Sequence, residues 1–407
     1  DTFNLGGGLV AEGTFTNNGT LTFTAEYPYP SMEGSVSYDS NQTLQGSGVT
    51  YYEYHDIVFN GDGTKMFTGR QYANGVNNSI VEEYTLSTPW DIDTLSYDSA
   101  ITTSSYDSEY FLTSIAFSAD GTILYTSGTE DAQVDGHTLG TAWDISSRTG
   151  NYGSFSVASE TSAPEGLTFS HDGTMMFVAD HIMYAYDLGT AWDVSTASST
   201  GATFNPDNVS DINDIVFVAN GYGMYLMDSA KDVVSYILTT AYDITTATEL
   251  ASADTATSYA SNGLALQPGG ERIFLLDTYY FSGGSDWVEQ WDISDGIQII
   301  AGSDLGDVTV NHSTSTRESI FATDTTIDTL VVAAESTAEF MASTTAGNTT
   351  LGTNASLTFS GTTTTGTVDT STGSTLAFNK NATTSDFTMA SGATTTLASG
   401  ITHAMTG

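Results

Sequence analysis

Two short phrases recur in step along this chain, and they constrain its fold more than anything else in it. The first is an apolar run, a tight glycine turn and a second apolar run: IVFNGDGTKMF (57–67), IAFSADGTILY (115–125), LTFSHDGTMMF (167–177), IVFVANGYGMY (215–225) and LALQPGGERIF (264–274). The second is an aromatic followed by aspartate, at Trp90-Asp91, Trp143-Asp144, Trp192-Asp193, Tyr242-Asp243 and Trp291-Asp292, 49 to 53 residues apart. Glycine supplies the positive φ of a tight hairpin turn, so the first phrase reads as two antiparallel strands. A third strand follows (MYAYDL, 183–188; VVSYIL, 233–238), then the aromatic–Asp corner, then a fourth segment. Four short strands per unit at this period predict an all-β fold, a β-propeller of five blades. The corner aromatic is expected to pack between adjacent sheets, and its aspartate to accept hydrogen bonds from the turn joining strands three and four. GSVSYDS (34–40) resembles the fourth-strand phrase LSYDSAI (95–101). It is therefore expected to supply the outer strand of the fifth blade and close the ring.

The flanks have a different texture. From about residue 306 Thr, Ser, Gly and Ala dominate, and Leu357, Val368, Leu376, Phe387 and Leu397 recur every 8 to 11 residues. That beat predicts successive turns of a β-solenoid. GTFTNNGTLTFTAE (13–26) shares it. The reading is an N-terminal strand segment (1–30), a propeller (31–305) and a Thr/Ser/Gly-rich solenoid-like region (306–407). Either the propeller interrupts one solenoid, or the N-terminal strands of residues 9–26 pair with another subunit, the arrangement favoured for assembly.

The chain carries 49 acidic and 7 basic residues, a formal charge of −42. Phosphate recognition needs clustered Lys and Arg, so nucleic acid is excluded as a partner, and anionic lipid on the same ground. An acidic, lysine-poor surface suits salty water, where cations screen it. No run of 18 apolar residues is present to span a membrane as a helix, and there is no cysteine. No basic-then-apolar leader opens the chain at Asp1, which is expected of a processed secreted chain or of a virion part released by lysis. The N-x-S/T sequons, Asn18 to Asn381, are expected by chance in a chain so rich in Thr and Ser.

With FS-DGT-MF and LGTAWD(I/V)ST side by side, residues 34–305 resemble the β-propeller repeat proteins of marine tailed phages and marine bacterial surfaces, and are more distantly similar to YVTN-type and NHL-type propellers. The resemblance implies a propeller and a structural, fibre or surface component. The fourth unit (VANGYG, Tyr242) and the fifth (QPGGER) depart from the pattern but keep the turn glycine.

Catalytic signatures are missing. The six histidines show no metal-ligand spacing, and neither a G-x-x-x-x-G-K-[ST] phosphate loop nor a G-x-S-x-G elbow occurs. His171 reads as a hairpin-turn residue. Sialidase chemistry would need an arginine cluster, whereas Arg70, Arg148, Arg272 and Arg317 are dispersed. No carboxylate pair stands out for glycoside hydrolysis. The expectation is a non-enzymatic structural or adhesive protein: a virion fibre, spike or decoration subunit, with a secreted or cell-surface adhesin as the alternative and a polysaccharide-active enzyme third. Its place would be the virion surface or the cell exterior. Propeller topology places His55, Thr113, Glu165, Asn213 and Asn262 around the mouth of the central channel. The loops after each second strand emerge on that same face, with Arg70, Tyr72, Asp180, His181, Asp228, Asp277, Tyr279, Tyr280 and Phe281. The Tyr-Tyr-Phe run suits stacking on a glycan or docking on a receptor. Other expected partners are structural subunits or further copies, joined through the terminal β regions. No cofactor is expected; Ca²⁺ is the one ion that acidic loops near the channel would suit.

Overall fold

The computed structural model describes residues 3–4, 20–24, 36–44, 52–72, 79–103, 111–207, 209, 211–218, 221–228, 232–254, 260–267, 272–278, 286–293, 297–300, 304–311, 318–321 and 324–405. Five four-stranded antiparallel sheets form a five-bladed propeller. Blade one is Tyr52–Phe59, Lys65–Tyr72, Ile80–Leu86 and Leu95–Thr102; blade two is Leu112–Phe117, Ile123–Gly128, Gln133–Leu139 and Arg148–Ser156. Blade three is Gly166–Phe169, Met175–Ala179, Met183–Leu188 and Ala197–Phe204; blade four is Ile212–Val218, Gly223–Asp228, Asp232–Leu238 and Ala247–Asp254. Blade five takes Ala260–Leu266, Arg272–Thr278 and Trp287–Ile293, and Val36–Thr43 is its outer strand, with Trp291 opposite Tyr38 and Ile293 opposite Val36. The ring therefore closes as its sequence implied, by one N-terminal strand zipped onto a late one.

The recurring phrases are the joints of this ring. Trp90, Trp143, Trp192 and Tyr242 adopt φ of 59° to 67°, a costly conformation for bulky residues, and their backbone N–H groups donate to the carbonyls of Gly63, Gly121, Gly173 and Gly221. Each ring then lies flat on its glycine: a Cβ on Gly121 would fall 2.2 to 2.4 Å from the Trp143 indole. On the other side the rings meet the neighbouring blade, Trp90 against Phe274, Trp143 against Phe67 and Tyr242 against Phe177. The next residue, Asp91, Asp193 or Asp243, accepts from the backbone N–H two residues on and caps a one-turn 3₁₀ helix that leads into the fourth strand. Asp144 caps the equivalent turn without that bond and accepts from Ser146 Oγ instead.

A donor from the preceding blade reaches each tryptophan carbonyl: Arg272 to Trp90, Lys65 to Trp143 and Tyr125 to Trp192. The fifth aromatic–Asp step is a correction to the repeat. Trp291 lies inside a strand, edge-on to Tyr38 at 5.5 Å, because blade five has no turn between its third and fourth strands. In VEQW it holds the position of Tyr84 in VEEY.

The remaining strands form two parallel sheets of a β-solenoid. Thr325–Val332, Thr344–Leu351, Thr363–Asp369 and Ala382–Thr388 stack in one sheet. Glu318–Phe321, Thr337–Phe340, Ser356–Phe359, Thr375–Phe378 and Thr394–Leu397 stack in the other. The sheets alternate along the chain, so Leu357, Leu376 and Leu397 fall in one and Val368 and Phe387 in the other, which accounts for the 8-to-11 beat. Inside, Phe321, Phe340, Phe359 and Phe378 form a stacked ladder with centroids 4.1 to 5.5 Å apart.

Thr20–Thr24 pairs in parallel with Asp304–Asn311 of this same chain, and Phe3–Asn4 pairs with Thr20–Thr24. The contact between the two flanks that the shared texture implied is therefore present, with the N-terminal strands added to the solenoid of their own chain. Ile297–Ile300 also belongs to the solenoid, in the sheet of Glu318–Phe321. The propeller is thus an insertion, leaving and re-entering the solenoid where Val36 and Ile293 pair. Ile237 of blade four packs with Ile320, both fully buried, with Tyr222, Leu250 and Met341 around them.

Candidate functional site at the central channel

The first halves of the inner strands carry His55-Asp56, Thr113-Ser114, Asn213-Asp214 and Asn262-Gly263, with Glu165-Gly166 at the start of the third, and the structure sets these pairs at equivalent points of the ring. The expected mouth residues largely stitch blade to blade. Thr113 Oγ1 donates to Pro164 O (2.6 Å), Asn213 Nδ2 to Asn262 Oδ1 (3.4 Å) and Asn262 Nδ2 to Tyr54 O (2.9 Å). His55 Nε2 is buried without a hydrogen bond, 4.0 Å from Glu53, and burial lowers its pKa to about 4, so the ring is neutral near pH 7.

One step further in, Asp56 Oδ2 accepts from Ser114 Oγ and Ile115 N of blade two, and Asp214 Oδ2 from Leu264 N of blade five. Each also caps its own following N–H, and the two carboxyls hydrogen-bond to one another. Burial pushes Asp56 up to about 6, and burial with the charge of Asp56 pushes Asp214 well above the usual range. The pair therefore keeps one proton near neutral pH. Glycine at the matching point of blade five lets the two inner strands approach closely, since a Cβ on Gly263 would stand 3.0 Å from the Asp56 backbone.

On the mouth side, Asp180 and His181, in the turn between Met175–Ala179 and Met183–Leu188, come together with Asp211, just ahead of Ile212–Val218. His181 Nδ1 pairs with Asp211 and lies 3.6 Å from Asp180, whose other oxygen accepts from Thr161 (2.9 Å). Their ligand atoms lie within 4.8 Å of one another, so one nitrogen and two oxygens can hold a cation. An imidazole donor suits a transition metal better than Ca²⁺. Glu165 stands in their field: burial first, then Asp180 and Asp211, raise it to about 7.

Of the expected loop residues, Asp180 and His181 thus join Glu165. Arg70 is elsewhere, 1% exposed inside blade one, with Nε and Nη2 on Glu82 Oε1 (2.8 and 2.7 Å) and its guanidinium over the Tyr54 ring; Tyr54 and Tyr84 hydroxyls donate to Glu82 Oε2. Asp228 is buried at the end of its strand. The side chains of Tyr72 and Asp277, and all of Tyr279, Tyr280 and Phe281, lie outside the described residues. Sequence reasoning missed Asp56 and Asp211; a signal exists for the first, because HDIVF and NDIVF share the aspartate.

Below the Asp56–Asp214 pair, on the hairpin side, lies a cavity of about 290 Å³ that reaches Asn60, Ser170 and His171. The channel therefore has two ends: a polar mouth with the Glu165 cluster, and an apolar cavity facing the glycine hairpins.

No protein-family model matches the chain, and no curated protein does. Among solved structures it is similar to a putative 6-phosphogluconolactonase from Bacteroides uniformis, 12% identical, over 59% of this chain and 71% of that one, with a TM-score of 0.34. It is similar in the same measure to Sqt1 from Chaetomium thermophilum, 13% identical, over 59% of each chain, with a TM-score of 0.34. Likenesses at this level carry no argument about activity.

Proposed function

We propose that this protein is a non-enzymatic structural and adhesive component, a virion fibre, spike or decoration subunit of a marine phage that presents its propeller for binding. The observation that supports this most is the splice of the two folds. One solenoid carries the propeller as an insertion, and exit and return are clamped by the Val36–Ile293 pairing. Such a chain sets a rigid platform on a rod built of parallel rungs. In the first four blades the repeated Gly and aromatic pack the blade joints and the Asp caps the turn into the fourth strand, which leaves the channel-mouth face and its loops to carry specificity. The acidic surface and the repeat wording support a marine particle, and the same features serve an adhesin on a marine cell. To test it, the full chain is incubated with marine host cells and their envelope polysaccharides. Saturable binding without release of sugar is expected, and Tyr279→Ala/Tyr280→Ala should weaken it.

One observation favours a second reading, a hydrolase. Glu165, held near 7 beside Asp180, His181 and Asp211, is placed as a general acid or base would be. Polysaccharide turnover that disappears in Glu165→Gln would overturn the structural reading.

A further inference from the structure

The Asp180–His181–Asp211 cluster at the channel mouth has the donor set of a metal site, and its place in the ring gives such a metal a task. Its parts come from two blades. Asp180 and His181 lie in the turn after the second strand of blade three, and Asp211 directly precedes the inner strand of blade four. Backbone already fixes this seam, because Ile212 N donates to Asp180 O at 2.8 Å and so holds the Asp211 peptide beside Asp180. Thr161 Oγ1 donates to one oxygen of Asp180 (2.9 Å) and accepts from Ala163 N (3.0 Å), while the other oxygen faces His181 Nδ1 at 3.6 Å. We propose that these three side chains bind one Zn²⁺ ion, through His181 Nδ1 and an oxygen each of Asp180 and Asp211, and that the ion clamps blade three to blade four. The clamp is independent of the adhesive reading.

Three arguments carry the choice. The first is reach. The three ligand atoms lie within 4.8 Å of one another, a spread that small side-chain rotations close onto one ion about 2.0–2.2 Å from each donor. Thr161 fixes the Asp180 carboxylate from behind, as outer partners do at metal sites. The second is charge. Asp180, Asp211 and Glu165, whose carboxyl lies in the field of the other two, gather around a single imidazole. Like charges so placed repel, and a dication offsets them. The third is ligand type. Ca²⁺ takes six to eight oxygens and Mg²⁺ an octahedron of them, whereas Zn²⁺ takes mixed nitrogen and oxygen donors in a four-coordinate shell. Carboxylates alone would accept any hard cation; the imidazole is what selects zinc.

The test uses the full chain, stripped with a chelator and held in about 0.5 M NaCl so that the −42 charge is screened. Calorimetric titration with ZnCl₂, CaCl₂ and MgCl₂ should show one Zn²⁺ per chain, bound at least tenfold more tightly than either of the others. Zn²⁺ should also raise the urea midpoint of unfolding. His181→Ala changes an exposed side chain and keeps every carboxylate, so the fold should survive; it should weaken Zn²⁺ at least tenfold and abolish the rise. Asp211→Asn should do the same. Asp187→Asn, which removes an exposed carboxylate of blade three outside the cluster, should change neither. Co²⁺ adds a spectroscopic readout: its visible absorption should appear with wild type and be lost in His181→Ala. Equal affinity for Ca²⁺, Zn²⁺ binding unchanged in His181→Ala, or many weak Zn²⁺ ions without a saturable site would mean binding by bulk charge only, and each overturns the proposal. One-to-one Zn²⁺ binding that leaves the urea midpoint unmoved overturns the clamp.

Discussion

Alanine at Gly121 should be among the most damaging single-methyl changes in the propeller, and the structure separates its two causes. The first is backbone strain. Gly121 has φ +68°, and an L-residue in the left-handed region costs about 1–2 kcal/mol. The second is collision. The new methyl would sit 2.2 to 2.4 Å from the Trp143 indole, which cannot retreat because Phe117 packs on it at 4.9 Å and the Trp143 backbone N–H is bonded to the Gly121 carbonyl. Overpacking of a filled site costs about 1–3 kcal/mol, for a total of about 2–5 kcal/mol. Two other glycines isolate the parts. Gly201 has φ +76° with open space around its would-be Cβ, so Gly201→Ala should cost only the strain, about 1–2 kcal/mol. Gly150 also has open space and lies outside the left-handed region, so Gly150→Ala should be near neutral, within about 0.5 kcal/mol. The assay is guanidinium unfolding followed by tryptophan fluorescence, with the three variants and wild type side by side. If Gly121→Ala is no worse than Gly201→Ala, the aromatic-on-glycine joint does not bear on blade stability and the account of the repeat fails.

Glu82→Gln should destabilise by about 3–5 kcal/mol, because it strands the buried Arg70, while joint replacement of Arg70 and Glu82 by apolar residues of similar size should cost much less; a double-mutant cycle reads the difference. For Asp56 the folded pKa, about 6, lies above the unfolded 3.8, so its contribution is full below pH 3.8 and is lost as pH rises through 6, about 3 kcal/mol in all. Urea midpoints at pH 4 and pH 7 should therefore fall further in wild type than in Asp56→Asn. Deleting residues 1–30 uncovers the edge of Asp304–Asn311, so light scattering should report more self-association than in the full-length chain.

What the sequence made legible were features that one residue type can serve alone. A hairpin glycine at positive φ and the aromatic that covers it leave a fixed phrase, so five blades and the strand that closes them were readable. The solenoid was readable for a similar reason, since its apolar beat is the alternation of two sheets. The misread step at Trp291 came from a local coincidence: an aromatic and an aspartate adjacent within a strand look like the corner until the missing fourth strand is noticed. Whether residues 9–26 pair at home or abroad depends on where the chain returns after the propeller, which texture alone does not encode. The channel was the least legible part. Asp56 and Asp214 are two of 49 acids, and only the curvature of the ring brings strands 158 residues apart into hydrogen-bonding range. Asp211 joins His181 for the same reason, through the side-by-side packing of blades three and four.

The most direct test of the central claim is immunogold labelling of native particles with an antibody raised against the propeller. Labelling on an external appendage of a virion is the result predicted here. Label confined to free, soluble chains that turn over a polysaccharide would contradict it.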